Sequence, residues 1–127
     1  DLKPGNLLIT DFGLVKILDF GLAALKRDAR LAPKGAVFGT PEYMAPEQAR
    51  GEAVDHRTDL FTLGLILYEL LMNQAAYRVP RDAPDPIAAV FEAIETGALH
   101  EQCGELESRL PALGPVVTRL LQPRPED

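Results

Sequence analysis

The stretch Asp1-Leu2-Lys3-Pro4-Gly5-Asn6 and the triplet Asp19-Phe20-Gly21 carry the side chains best suited to chemistry. A carboxylate beside a hydroxyl can take its proton, a lysine can offset phosphate charge, and an Asn amide with an Asp carboxylate can hold magnesium between phosphate groups. Asp1, Lys3, Asn6 and Asp19 supply that set, at a spacing that suits phosphoryl transfer. Taken singly, Asp1 reads as a charged terminus and Lys3 as a surface lysine; their combination with Asn6 and Asp19 is what points to a site.

Short elements must position these groups. Leu7-Leu8-Ile9 and Leu14-Val15-Lys16-Ile17-Leu18 are strand-like runs, and Thr10-Asp11-Phe12-Gly13 between them has the Asp and Gly of a turn, so residues 7–18 are expected to form an antiparallel β-hairpin. Gly21 to Gly39 holds no period and reads as a solvated loop, with Lys26, Arg27, Arg30 and Lys34 as a basic cluster on a solvated face.

Asp59 is a plausible start for a helix over about 59–72, with Leu60, Leu63, Leu67, Leu70 and Leu71 on one stripe and Phe61, Leu65, Ile66 and Tyr68 on the other side. A helix apolar nearly all round belongs inside a domain. Gly64 within it costs ~1 kcal/mol relative to Ala, which a close-packed neighbour would explain. Pro80 to Pro86 is a connection, a helix over about 87–96 is closed by Gly97, 98–115 is weakly patterned, and 116–122 is one more short helix. The expected fold class is mainly α with a small β-hairpin, an α+β arrangement in one unit spanning 1–127.

Composition sets the outer limits. A chain of 127 residues with 46% apolar and 25% charged residues can bury a core of its own. The lone Cys103 allows no internal disulfide, and no signal peptide or lipidation motif is legible, so the cytoplasm is the expected compartment. A net charge of −6 argues against nucleic acid as a partner, because counterion release from phosphates needs a basic face. Leu60 to Met72 falls short of the ~20 apolar residues that cross a bilayer, so no membrane segment is expected.

The motifs resemble those of one family. Asp1 to Asn6 is similar to the catalytic loop of eukaryotic-like serine/threonine protein kinases, and Asp19-Phe20-Gly21 to their magnesium motif. Gly39-Thr40-Pro41-Glu42-Tyr43-Met44-Ala45-Pro46-Glu47, then Asp59 with Gly64, follows in the family's order, and Gly39 to Arg50 and Asp55 to Gly64 resemble the bacterial members. The resemblance implies a kinase C-lobe, with a catalytic loop at 1–6, the magnesium motif at 19–21 and an activation segment at 22–47, the N-lobe being absent.

By that resemblance Asp1 orients and deprotonates a Ser or Thr hydroxyl, Lys3 contacts the moving phosphoryl group, and Asn6 and Asp19 ligate Mg2+ or Mn2+ bound to the co-substrate ATP. Phe20 and Gly21 complete the metal motif. Thr40 is the family's threonine that hydrogen-bonds the catalytic aspartate and lysine, with Tyr43 and Met44 shaping the site beside it. A protein with a Ser/Thr acceptor is the implied partner, and a kinase homodimer of the parent a further expectation.

A second Asp-Phe-Gly at Asp11-Phe12-Gly13 sits where the hairpin must turn, so Asp19, with both apolar runs behind it, is the metal candidate. No Ser or Thr other than Thr40 lies between Phe20 and Glu47, so the parent is not expected to be switched by phosphate on that stretch. Glu47 resembles the buried carboxylate that the family pairs with an arginine, here due just after Asp127, with Arg124 the nearest substitute. A buried carboxylate stripped of its partner costs ~3 to 5 kcal/mol.

Asp59 by the same resemblance accepts backbone N–H bonds from the catalytic loop. A Gly-rich loop, a strand lysine and a helix glutamate would all have to come from outside residues 1–127. If roughly 300 Å² of apolar surface stays uncovered on the helix and hairpin, ~8 kcal/mol is lost at ~25 cal/mol per Å², and the isolated chain is expected to be loosely folded and inactive. The alternatives to a piece of an active kinase are a kinase-like interaction module without catalysis and a decayed remnant.

Overall fold

The computed structural model describes residues 2–18, 40–78 and 82–123. Among them a small hairpin precedes a set of helices: a 3₁₀ turn at Pro4–Asn6, β1 (Leu7–Ile9), β2 (Val15–Ile17), a 3₁₀ turn at Pro41–Tyr43, then α1 (Pro46–Ala49), α2 (His56–Met72), α3 (Pro86–Glu95), α4 (Leu99–Arg109) and α5 (Gly114–Leu120). The α+β class expected from the sequence is the one observed.

The two strands pair antiparallel with Leu7 opposite Ile17, Leu8 opposite Lys16 and Ile9 opposite Val15. Their turn is closed by the Thr10 N–H donating to the Leu14 carbonyl at 2.9 Å and the Leu14 N–H donating to the Thr10 hydroxyl at 3.1 Å. Gly13 there has φ +76°, a conformation that a side chain disfavours, so the first Asp-Phe-Gly serves the turn.

Helix α2 begins three residues before the expected Asp59. Asp55 is its N-cap, accepting the Arg57 N–H at 2.8 Å, which satisfies one of the otherwise unpaired donors of the first turn. Asp59 then falls within that turn. At the far end Asn73 takes a left-handed φ of 53°, which Asn tolerates better than most residues, and stops the helix.

The burial of α2 corrects the expectation of a helix enclosed nearly all round. Phe61, Leu65, Tyr68 and Met72 are buried, while Leu60 and Leu70 are 45% and 72% exposed. Both stripes repeat at helical spacing, so periodicity alone could not choose between them. Gly64 does: it lies on the buried face, and a Cβ built on it would stand 2.9 Å from the Leu120 Cβ, so its bareness lets α5 settle against α2.

Helix α3 opens on Asp85, whose carboxylate accepts the N–H groups of Ile87 at 3.1 Å and Ala88 at 3.0 Å, and Gly97 follows its end with φ +67°. Helix α4 was not expected. Its buried residues Leu99, Gln102, Cys103 and Leu106 do fall at i, i+3, i+4 and i+7, but one is an amide and one a thiol, which hides the stripe from an apolar count. Together the helices enclose a core in which Leu65, Tyr68, Val90 and Leu106 are fully buried. No helix among the described residues is long and apolar enough to cross a membrane.

Candidate active site

Lys3 and Asn6 belong to one tight turn. Pro4 fixes the backbone for the 3₁₀ turn, the Asn6 N–H donates to the Lys3 carbonyl at 2.9 Å, and both residues are half-buried. The Asn6 carbonyl in turn accepts the Leu18 N–H at 2.8 Å. That bond ties the loop to Leu18, the last described residue ahead of Asp19. Asp1, Asp19, Phe20 and Gly21 lie outside the described residues, as do the basic cluster Lys26 to Lys34 and Arg124.

A second group of expected residues gathers on the helical side. Thr40 is half-buried and heads the 3₁₀ turn, its carbonyl accepting the Tyr43 N–H at 3.0 Å. The turn packs on α2 and α3, and the segment after it is held from three directions. The Tyr43 hydroxyl donates to Glu69 Oε2 at 2.6 Å, the Thr62 hydroxyl reaches the Tyr43 carbonyl at 3.1 Å, and the buried Tyr77 hydroxyl donates to the Met44 carbonyl at 3.2 Å. Burial and then the Glu69 hydrogen bond push the Tyr43 phenol far above its ordinary range, and burial with the nearby Glu47 charge does the same to Tyr77. Both hydroxyls therefore stay protonated donors.

Glu47 is buried, at 5% exposure, and has a partner that sequence reasoning missed: the Thr58 hydroxyl donates to its Oε1 at 2.6 Å. Glu69, Thr62 and Tyr77 were missed as well. The signal for the threonines was present, since Thr58 and Thr62 are one helical turn apart and both face inward on α2. Asp59 is exposed.

Against known proteins, residues 1–127 match the protein kinase domain. The chain belongs to the protein kinase family. Over 128 residues it is 34% identical to a probable serine/threonine-protein kinase of Clostridium acetobutylicum, covering 100% of this chain and 19% of that protein. It is 55% identical over 95 residues to the DNA damage-responsive serine/threonine-protein kinase of Deinococcus radiodurans, covering 74% of this chain and 14% of the other. With the serine/threonine-protein kinase PknB of Mycobacterium tuberculosis it shares 38% over 106 residues, covering 74% and 17%. The chain is thus a fragment of bacterial serine/threonine kinase type and spans less than a fifth of the length of these relatives.

Proposed function

We propose that the protein carrying this chain transfers the γ-phosphoryl group of ATP to a Ser or Thr hydroxyl of a protein substrate, in the cytoplasm. Asp1 accepts the proton of the attacking hydroxyl and Lys3 offsets charge on the moving group. Asn6 and Asp19 offer an amide oxygen and a carboxylate, hard donors that suit magnesium or manganese; a metal held there would supply positive charge against the ATP phosphates. Thr40 orients the catalytic loop toward the acceptor, and Tyr43 and Met44 shape the docking side. On this reading Glu47 and Asp59 are structural supports, and the 127 residues alone provide only the floor of the nucleotide site and are inactive.

The observation that carries the reading is the Asn6 carbonyl to Leu18 N–H bond, at 2.8 Å, which draws the Lys3–Asn6 turn and the strand leading to Asp19 to one end of the hairpin. Two metal ligands 13 positions apart in sequence need such a closure.

Metal-dependent transfer of labelled phosphate from ATP to a Ser/Thr-bearing protein tests it. The complete protein is expected to transfer, Asn6→Ala and Lys3→Ala to lose about 10²-fold or more with their fold intact, and residues 1–127 alone to do nothing. Unchanged transfer by Asn6→Ala would refute the assignment. Because residues 20–39 contain no Ser, Thr or Tyr, phosphatase treatment of the active protein is expected to leave no loss traceable to that stretch.

A further inference from the structure

A cavity of about 80 Å³ lies among α2, α3, α4 and α5, walled largely by Phe61, Ile94, Leu99 and Leu121. One water needs only about 10 to 15 Å³ of such space, so the cavity has room for a small organic molecule. Among the described residues that line it there is no Asp, Glu, Lys or Arg, and the one basic side chain, His100, is exposed. An ion passing His100 to the apolar wall would lose its water without a buried counter-charge, whereas an apolar body would lose nothing.

One polar anchor is only weakly engaged. Thr118 lines the cavity, and among the described residues its buried hydroxyl has no neighbour to bond but the Cys103 thiol, a weak partner. Its backbone carbonyl, by contrast, already accepts the Gln122 amide at 3.1 Å. Buried hydroxyls are seldom left unpaired, so this one is suited to a guest that carries a single hydrogen-bonding group.

The cavity also touches the docking segment. Pro46, which opens α1, and Tyr77 are both in its wall, and Tyr77 is the residue that holds the Met44 carbonyl. A guest that presses on these two therefore presses on the supports of the segment that runs from Thr40 to Glu47.

We propose that this cavity binds a small, uncharged, mostly apolar molecule bearing one hydrogen-bonding group, and that its occupancy shifts the Thr40–Glu47 segment and so tunes how the protein substrate is held. The binding half stands alone; the coupling half rests on the kinase reading.

The test titrates the complete protein, labelled at Ile and Leu methyl groups, with phenol, using benzoate as the charged comparison. Saturable shifts centred on Ile94, Leu99 and Leu121 are expected with phenol and none with benzoate. Thr118→Val should weaken binding by about 3- to 10-fold, the loss of one hydrogen bond, and Ala93→Leu should abolish it by filling the space. Absent shifts, or shifts that survive Ala93→Leu, overturn the binding claim; should Ala93→Leu fail to fold, an unweakened Thr118→Val overturns it instead.

In the same protein, saturating phenol should change KM for the protein substrate and leave KM for ATP alone. Binding with both values unmoved overturns the coupling. A protein that transfers no phosphate would sink the functional reading and leave the phenol result standing.

Discussion

The hairpin and the helices are held together by different means. In the hairpin, Ile9 is 72% exposed and Phe12 98%, whereas Leu65, Tyr68 and Leu106 in the helices are 1%, 0% and 0% exposed. The region expected to do chemistry holds no fully buried side chain among its described residues 2–18; its shape comes from Pro4, Gly13 and a few backbone bonds. The helical region draws its stability from apolar contact between distant parts of the chain. Local residue types dictate the first, while the second depends on which faces meet.

The largest effect that separates the two regions is a core truncation. Leu65→Ala should cost ~2 to 5 kcal/mol in α2 by hydrogen exchange at single amides, whereas Ile9→Ala should change protection of the same amides by less than ~0.5 kcal/mol. Equal effects would mean that the hairpin is part of the same cooperative unit.

A smaller loss is expected where backbones meet. A Cβ on Gly114 would lie 2.6 Å from the Glu107 Cα, so Gly114→Ala must push α5 away from α4, at ~1 to 3 kcal/mol, with the hairpin amides unaffected. Thr58→Val should cost ~1 to 3 kcal/mol, since it strands the buried Glu47 carboxylate, and Thr58→Ser should restore most of it.

The mildest probe is alkaline pH. Tyr43 and Tyr77 both have phenols raised above 10.0, so the unfolded chain releases these protons first. Their contribution is fully present below pH 10.0 and should fade above it, as the unfolded chain ionises while the folded phenols still hold their protons. Tyrosinate absorbance should rise together with loss of helix signal; a rise with helix intact would contradict the buried, bonded state of these hydroxyls.

Legibility in the sequence followed the same division. The hairpin, its turn at Gly13 and the α3 limits at Pro86 and Gly97 were readable because each is a local matter of backbone preference. The buried face of α2 was not, because two stripes of equal merit compete and the choice lies with Leu120 and Leu121, more than 50 positions on. Helix α4 escaped because Gln102 and Cys103 sit where apolar residues would have announced it. At the candidate site, Lys3, Asn6 and Thr40 are proposed from motif order, whereas Thr58, Glu69 and Tyr77 act through contacts 11, 26 and 33 positions apart.

Paramagnetic broadening tests the central claim most directly: manganese and ATP are added to the complete protein with labelled asparagine and backbone amides. The account predicts that the Asn6 side-chain amide and the Leu18 N–H broaden first, at metal levels that leave the Leu106 and Val117 amides sharp. Uniform broadening, or an Asn6 signal that stays narrow while others fade, would contradict it.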